Sequence, residues 1–508
     1  MKKSQLIALA KEKNYSAAEV ERLERAIDVA TKAHQGQKRK SDEPYIHHPL
    51  ITASYLIDWG LDIDSIITGV LHDVVEDTDT KLADIEKEFG HEIAVLVDGV
   101  TKLGEVRSGM DSIDTYLPQT KDNLTKLLIA TGQDIRIIII KLADRLHNLR
   151  TLSALPKDKQ NKIAIESLEV FAPLADRLNM GRVRVEIEEL SFAHINPQRF
   201  NYLRKQIKSR LGRASKKLDN VREEVIKLLN DNHIKFEMDG RVKSIYSLEK
   251  KLKKHNQNMD EIYDIIALRI IVRDKATCYQ VLGLIHSLYK PMLERIKDYI
   301  AMPKVNGYQS LHTTVMTPDE QVVEFQIRTQ QMHDYAERGL AASFHYNEQK
   351  LTDAYKTGQI APMPANLGWI KDLQEAAAKL RKGEKVDTKK LRINLFADKI
   401  FIYSPKGDIY EMPMGSLPLD YAYRVHSDLA RHAQGFKVNG RIVKANTRLK
   451  TGDIVEVIVN KNTKPSIGWF ERIFTPHARN KLRQQLRAEN AEAPPAPANQ
   501  QQKPRGRR

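Results

Sequence analysis

The chain has one cysteine, Cys278, in 508 residues. A single thiol excludes internal disulfides and cysteine-rich zinc modules. Long apolar runs are missing as well. No stretch reaches the length that a bilayer span requires, and Met1-Lys2-Lys3-Ser4 leads into charged residues, not the apolar core of a signal peptide. Together these absences imply a reducing, cytoplasmic setting. Negative charge is in deficit: 82 Lys and Arg stand against 66 Asp and Glu, a formal net charge of +16. That balance implies anionic partners, nucleotides or RNA, and charge alone does not separate a polyphosphate substrate from a nucleic acid. About three domains are expected at this length, with ample material for large cores.

What is present begins with Leu71-His72-Asp73-Val74-Val75-Glu76-Asp77. Read as one helix, it pairs His72 with Glu76 and Asp73 with Asp77 on shared faces. The neighbours Ile66, Ile67, Val70, Leu71, Val74 and Val75 are apolar. Carboxylates crowded into such surroundings need a cation or a proton. Lys141-Leu142-Ala143-Asp144-Arg145-Leu146-His147-Asn148 puts Asp144 and Asn148 on one helical face, with Thr151 a turn further on, and Tyr45-Ile46-His47-His48-Pro49 adds an imidazole. His48, His72, Asp73 and Asp144 form a mixed nitrogen and oxygen set suited to Mn²⁺, Fe²⁺ or Zn²⁺ more than to Ca²⁺.

The chain reads as helical to about residue 190, with Ser16 as the cap of a helix from Ala17. Ile135-Arg136-Ile137-Ile138-Ile139-Ile140 favours a strand by propensity. A charged helical linker follows from about 196 to 235. Alternating segments such as Val322–Arg328 then mark a mixed α/β region. There, Arg241-Val242-Lys243-Ser244 concentrates cations, and Lys304-Val305-Asn306-Gly307-Tyr308 leads to His312. A base can stack on Tyr308 while Lys304 and His312 meet phosphates, and Asp264 and Glu324 are placed to share Mg²⁺. A small β-rich module begins near Ile393, and the Ala-, Pro- and Gln-rich end from Ala491 reads as disordered.

The ordered segments Arg39-Lys40-Ser41, Pro44-Tyr45-Ile46-x-His48-Pro49, His72-Asp73-Val74-Val75-Glu76-Asp77-Thr78, Asp98-Gly99-Val100-Thr101-Lys102-Leu103 and Leu142-Ala143-Asp144-Arg145-Leu146-His147-Asn148 resemble the HD-type hydrolase domain of the RelA/SpoT-homologue family. Its members make and destroy the alarmone (p)ppGpp. Arg241-x-Lys243-Ser244-x-Tyr246-Ser247, Tyr263-Asp264-Ile265-Ile266-Ala267-Leu268-Arg269, the block from Tyr299 to Thr313, and Glu324-Phe325-Gln326-Ile327-Arg328-Thr329 resemble the same family's synthetase domain. Leu417-Pro418-Leu419-Asp420-Tyr421-Ala422-Tyr423-Arg424-Val425-His426 and Lys437-Val438-Asn439-Gly440 resemble a TGS domain.

The resemblance implies a multidomain α and α+β protein. An all-helical HD-type hydrolase domain is expected over 1–195, with the isoleucine run from Ile135 as the buried start of the helix that carries Asp144. A nucleotidyltransferase-like α/β synthetase domain over 196–350, with the helical linker at its start, is followed by a connector over 351–391. A β-grasp TGS domain over 392–460 and a basic, partly disordered tail over 461–508 complete it. The hydrolase site would remove the 3′-pyrophosphate of (p)ppGpp with Mn²⁺ held by His48, His72, Asp73 and Asp144. Glu76 and Asp77 would handle the attacking water, Arg39 and Lys40 the phosphates, and Asn148 and Thr151 the nucleoside. The synthetase would move pyrophosphate from ATP to the 3′-hydroxyl of GDP or GTP, with Mg²⁺ on Asp264 and Glu324, the latter also assisting deprotonation. Arg241 and Lys243 would bind ATP, Lys304 and His312 would meet phosphates, Tyr308 would stack on guanine, and Asn306 would be a further nucleotide-binding residue.

Arg295-Ile296-Lys297-Asp298 has the basic form of the bifunctional members. Ser343-Phe344 and Thr125 depart from the family pattern, which carries His-Trp and arginine there. The family's further regulatory modules have no room after about residue 480, so a shortened member is expected. Two alternatives stand beside the bifunctional reading: a hydrolase with a weak synthetase, and a regulator that contacts tRNA or the ribosome through the TGS domain and basic tail.

Overall fold

A computed structural model describes residues 1–108, 134–254, 257–259, 266–304, 306–320, 322–339, 399–450 and 452–492. It divides into two units, Met1–Lys385 and Val386–Arg508. The first unit opens with helices Lys3–Glu12, Ala17–Ala33, His47–Trp59, Ile63–Leu71, Leu82–Phe89, His91–Ser108 and Ile135–Arg150. Ser16 caps the second as expected: its hydroxyl accepts from the Glu19 amide, and Glu19 accepts from the Ser16 amide at 2.7 Å. The isoleucine run is helical. Ile137, Ile138, Ile139 and Ile140 are all buried, and that burial outweighs a propensity difference of less than about 1 kcal/mol per residue.

The expected continuous helix through His72 and Asp77 is interrupted. Helix Ile63–Leu71 stops, His72 and Asp73 form a turn, and the single turn Val74–Asp77 follows. The reason is geometric. Adjacent residues on a helix diverge by about 100°, so His72 and Asp73 cannot both face one point from an unbroken helix. The break lets them.

Past Arg150 the chain continues through helix Lys157–Glu166, a π-turn at Ser167–Phe171, helices Ala172–Arg177 and Gly181–Ile195, and the long helix Pro197–Asp231. A six-stranded sheet follows: β1 Phe236–Val242, β2 Ile266–Val272, β3 Lys290–Pro291, β4 Lys297–Asp298, β5 Leu311–Met316 and β6 Val322–Thr329. The order is β1-β2-β6-β5-β3, with β4 also on β5, and only β2 and β6 run parallel. Strand alternation sorts the side chains. Val323, Phe325 and Ile327 join Leu268, Ile270 and Val272 in a core with Val281 and Ile285 of helix Lys275–Leu288. Glu324, Gln326 and Arg328 take the opposite face. His312 lies across from Gln326, and Arg269 and Asp239 continue that row.

Helical part and sheet are joined directly. The Asn306 amide donates to the Asp176 carbonyl at 2.9 Å, and Asn179 to the Tyr335 carbonyl at 2.9 Å. Gly339, at φ +63°, passes so close that a Cβ there would lie 2.2 Å from the Leu178 carbonyl oxygen. Only glycine fits that crossing.

In the second unit, strands Lys399–Tyr403 and Ile409–Pro413 pair. Ala433–Val438 is flanked by Arg441–Val443 and Val455–Val459, and helix Pro418–Val425 packs across them. The chain past residue 460 packs onto this module. Trp469, Ile473, Ala478 and Leu482 bury themselves with Leu419, Ala422, Tyr423 and Phe436. Residues 461–482 therefore share its core, and helix Pro476–Glu492 carries on from there. Asp420, 1 % exposed, clamps the two parts: it accepts from the amides of Leu417, Phe474 and Thr475 and from the Thr475 hydroxyl. Asp420→Ala would leave four donors without their acceptor, at about 1–3 kcal/mol for each of the two buried ones on Thr475 and less for the part-buried Leu417 and Phe474 amides. Hydrogen exchange on the full chain should show the Phe474 and Thr475 amides losing protection. Unchanged protection would mean the segment is held by its apolar contacts alone.

Candidate functional site

Four ligand-type side chains meet in the helical part. His48 enters from the first turn of helix His47–Trp59, His72 and Asp73 from the chain break, and Asp144 from helix Ile135–Arg150. His48 Nε2 lies 3.4 Å from Asp73 Oδ2 and 3.2 Å from Asp144 Oδ1. His72 Nε2 lies 3.1 Å from Asp73 Oδ1 and 3.9 Å from Asp144 Oδ1. Ligands about 2.1 Å from a transition-metal ion stand roughly 3.0–3.4 Å from one another, so the spacing fits one ion. Among the described residues His48, His72 and Asp144 form the compact ligand group.

His72 supplies the fit test. Its Nδ1 meets the Gly69 carbonyl at 2.9 Å. A carbonyl only accepts, so Nδ1 bears the hydrogen. Nε2 is then a lone pair, fully buried and without a hydrogen-bond partner; the 3.1 Å approach of Asp73 is misaligned for a hydrogen bond. A buried lone pair facing two carboxylates is stable when a cation lies between them.

Positive charge is what the carboxylates answer to. Burial alone would raise Asp73, but His72, itself raised by Asp73 against burial, and then His48 hold its carboxyl below the usual range; that charge is a proton on the rings, or a cation in its place. Burial also opposes Asp144, which Lys141 and His48 hold well below. Lys141 Nζ sits 3.1 Å from Asp144 Oδ2, and Asn148 Nδ2 donates to Asp144 Oδ1 at 2.6 Å. Burial lowers Lys141, yet Asp144 and Asp73 outweigh it and raise the ammonium. Tyr45 was quoted in the sequence without a role. Its hydroxyl reaches Asp73 Oδ2 at 2.8 Å and Asp77 Oδ2 at 2.5 Å, and burial with these carboxylates raises the phenol. Glu76 stands at the exposed rim. Partial burial raises its carboxyl, Lys141 pulls against that, and Asp73 and Asp77 add to it.

Arg39 turns toward the helix that carries Asp144. Its guanidinium lies 3.0 Å from His147 Nδ1 and donates to Asn148 Oδ1 at 2.6 Å. Lys40 is exposed in the adjoining turn. The Thr151 hydroxyl donates to the His147 carbonyl at 3.1 Å. His147, assigned no role from sequence, is pushed to about 3 by burial, His48 and Arg39, so its ring is neutral. Spacing contained a signal for Lys141 and His147, three residues either side of Asp144 and hence on its helical face.

The second cluster lies on the open face of the sheet. His312 Nδ1 meets Glu324 Oε1 at 2.9 Å, and its Nε2 meets the Tyr308 hydroxyl at 2.9 Å. Burial lowers the His312 ring against the pull of Glu324, so it is neutral at pH 7. Nδ1–H then donates to Glu324 while Nε2 accepts from Tyr308. Lys304 Nζ stands 4.8 Å from the Tyr299 ring centre and 5.0 Å from that of Tyr308. Arg241 approaches Gln326 Oε1 at 3.4 Å, and Lys243 follows β1. Asn306 anchors the loop that carries Tyr308: besides donating to the Asp176 carbonyl, it accepts from the Tyr308 amide at 3.2 Å. Beside this row, Arg269 and the fully buried Arg328 share Glu337, at 3.4 and 3.0 Å. Burial and Arg328 lower Arg269. Asp264, Thr125 and Ser343-Phe344 lie outside the described residues.

An HD domain matches residues 26–181, the region found in RelA / SpoT proteins matches 240–351, and a TGS domain matches 400–459. In that order they define a helical HD domain, an α/β RelA/SpoT region and a small β-rich TGS domain. The chain is 41 % identical over 461 residues to the GTP pyrophosphokinase of Myxococcus xanthus, covering 91 % of this chain and 60 % of the relative. It is 39 % identical over 469 residues to the bifunctional (p)ppGpp synthase/hydrolase SpoT of Escherichia coli K12, covering 92 % and 65 %. It is also 39 % identical over 473 residues to the guanosine-3′,5′-bis(diphosphate) 3′-pyrophosphohydrolase of Aquifex aeolicus, covering 93 % of this chain and 65 % of that relative. The chain thus spans about three-fifths of the length of the curated relatives it matches. It belongs to the RelA/SpoT-homologue family. No helix among the described residues is long and apolar enough to cross a membrane.

Proposed function

We propose that this protein both hydrolyses and synthesises (p)ppGpp. The observation that carries the reading is the His48, His72, Asp73 and Asp144 cluster at ion-binding spacing, with the orphaned Nε2 of His72 turned into it. These four would hold Mn²⁺. When bound, the ion supplies Lewis acidity and a water of lowered pKa. The chain's own residues do the rest. Glu76, its carboxyl raised at the rim, takes the proton of the attacking water. Asp77, oriented by Tyr45, aligns that water as its oxygen bonds to the phosphorus, and the proton taken by Glu76 is the one available to the departing 3′-oxygen. The bond between that oxygen and phosphorus breaks, and pyrophosphate leaves. Arg39 and Lys40 line the phosphate side, and Asn148 and Thr151 the nucleoside side.

For synthesis, Glu324 and Asp264 would hold Mg²⁺. Glu324 also accepts the 3′-hydroxyl proton of GDP or GTP as that oxygen bonds to the β-phosphorus of ATP and AMP departs. His312 steadies Glu324, Tyr308 offers its ring to guanine, and Lys304, Arg241 and Lys243 neutralise phosphate charge. The TGS module, with Arg479, Lys481, Arg483 and Arg487 on its terminal helix, presents cations to tRNA or ribosomal RNA. Such binding should fall steeply with added salt. The deciding experiment incubates purified chain with ATP, GDP and Mg²⁺, and separately with ppGpp and Mn²⁺, and resolves nucleotides by anion exchange. Both products are expected. Hydrolysis alone would leave a hydrolase with a weak synthetase. Neither, with tRNA retained, would leave a regulator.

A further inference from the structure

His147 is buried, 5 % exposed, and its ring stacks on His48 with centres 4.8 Å apart. One atom of it meets two neighbours. His147 Nδ1 lies 3.0 Å from Arg39 Nη1 and 2.6 Å from His48 Nδ1. A guanidinium has donors only. His147 Nδ1 must therefore be a lone pair, with the ring hydrogen on Nε2. The same lone pair faces His48 Nδ1 at 2.6 Å, and two lone pairs at that distance would repel. His48 Nδ1 must carry the hydrogen and donate it. His48 Nε2 is then left as a lone pair, 3.2 Å from Asp144 Oδ1 and 3.4 Å from Asp73 Oδ2.

We infer that His147, held in turn by Arg39, is a positioning residue that locks His48 in the tautomer and orientation that present Nε2 to a divalent cation. The inference rests on the proposed metal reading of the cluster and deepens it. His72 reaches the same state through the Gly69 carbonyl, a backbone acceptor that needs no help. His48 has a side chain as its acceptor, so its orientation depends on residues that can be substituted. Ligating imidazoles commonly need such an outer partner, and losing one weakens metal binding by roughly 10–100-fold. Arg39 also reaches Asp144 through Asn148, which takes its hydrogen bond on Oδ1 and donates to Asp144 from Nδ2. One guanidinium therefore supports two ligands, and its contribution to the centre precedes any contact with substrate.

The test titrates Mn²⁺ into metal-stripped full-length protein without nucleotide and reads free Mn²⁺ by electron paramagnetic resonance. His147→Leu should weaken binding by on the order of tenfold or more. His147→Asn, which keeps an acceptor near the Nδ1 position, should recover most of it. Arg39→Gln should also weaken binding, although no phosphate is present. A role for Arg39 confined to phosphate would leave this titration unmoved and change only KM for ppGpp. Retained synthesis in His147→Leu reports that the fold is intact. Native binding with equally tight binding by His147→Leu would overturn this inference alone. A native chain that takes up no Mn²⁺ would overturn the metal reading and this inference with it.

Discussion

Asp73→Ala should abolish ppGpp hydrolysis and leave alarmone synthesis measurable. Asp73 does three things at once. Its Oδ1 lies 3.1 Å from His72 Nε2, its Oδ2 lies 3.4 Å from His48 Nε2, and Oδ2 also meets the Tyr45 hydroxyl at 2.8 Å. Alanine removes a charge and a ligand from the centre and leaves Tyr45 with Asp77 alone. Metal-assisted activation is worth several kcal/mol, so the rate should fall on the order of a thousandfold. Asp73→Asn separates charge from shape: it should keep the fold and still lose most activity. Synthesis should persist because the sheet face carrying Glu324, His312 and Tyr308 shares no residue with the metal cluster. The measurement is ppGpp turnover with Mn²⁺ beside ATP-dependent ppGpp formation in the same preparation. Hydrolysis at the parent rate in Asp73→Ala would rule out the ligand assignment.

The residue types of this centre were legible in the sequence, and its backbone was not. Helical spacing brought His72, Asp73, Glu76 and Asp77 together on paper by assuming one helix. The protein instead breaks the helix between Leu71 and Val74, and the break turns two neighbours toward one point, which consecutive helical positions cannot do. The isoleucine run shows composition pointing the other way: its β-branching favours a strand, whereas the resemblance places it at the buried start of the helix carrying Asp144, and it is helical and buried there. Tyr45, Lys141 and His147 stood inside quoted motifs without a role. Only Lys141 and His147 are linked to a ligand by local spacing; Tyr45 reaches Asp73 across 28 residues. Asn306 shows the limit most clearly. Its place beside Gly307 and Tyr308 reads as part of a turn, and its amide also donates to the Asp176 carbonyl 130 residues away. No local pattern encodes such a contact. The core-completing segment from Trp469 to Leu482 was hidden likewise, because its surrounding charge resembles a solvated tail.

Synthesis should fail in Glu324→Gln and be selectively impaired in Tyr308→Ala. Glu324 stands on the open face of β6, beside Ala267 of β2 in register, with Oε1 2.9 Å from His312 Nδ1. Glutamine keeps the shape and an acceptor for that N–H. It loses the negative charge that would hold Mg²⁺ and take the 3′-hydroxyl proton. The rate should drop on the order of a thousandfold with the fold intact. Tyr308 offers a ring and a hydroxyl with separable roles. Stacking on a base is worth about 1–3 kcal/mol by alanine substitution, so Tyr308→Ala should raise KM for GDP roughly tenfold and KM for ATP much less. Tyr308→Phe keeps the ring and removes only the O–H that His312 Nε2 accepts at 2.9 Å. It should bind GDP nearly as the parent does. Its loss should fall on kcat, because His312 no longer fixes Glu324 as firmly. Steady-state kinetics varying each nucleotide in turn separate these cases. Equal increases in both KM values for Tyr308→Ala would remove guanine stacking from the mechanism, and parent-level synthesis by Glu324→Gln would move the catalytic carboxylate elsewhere on the sheet.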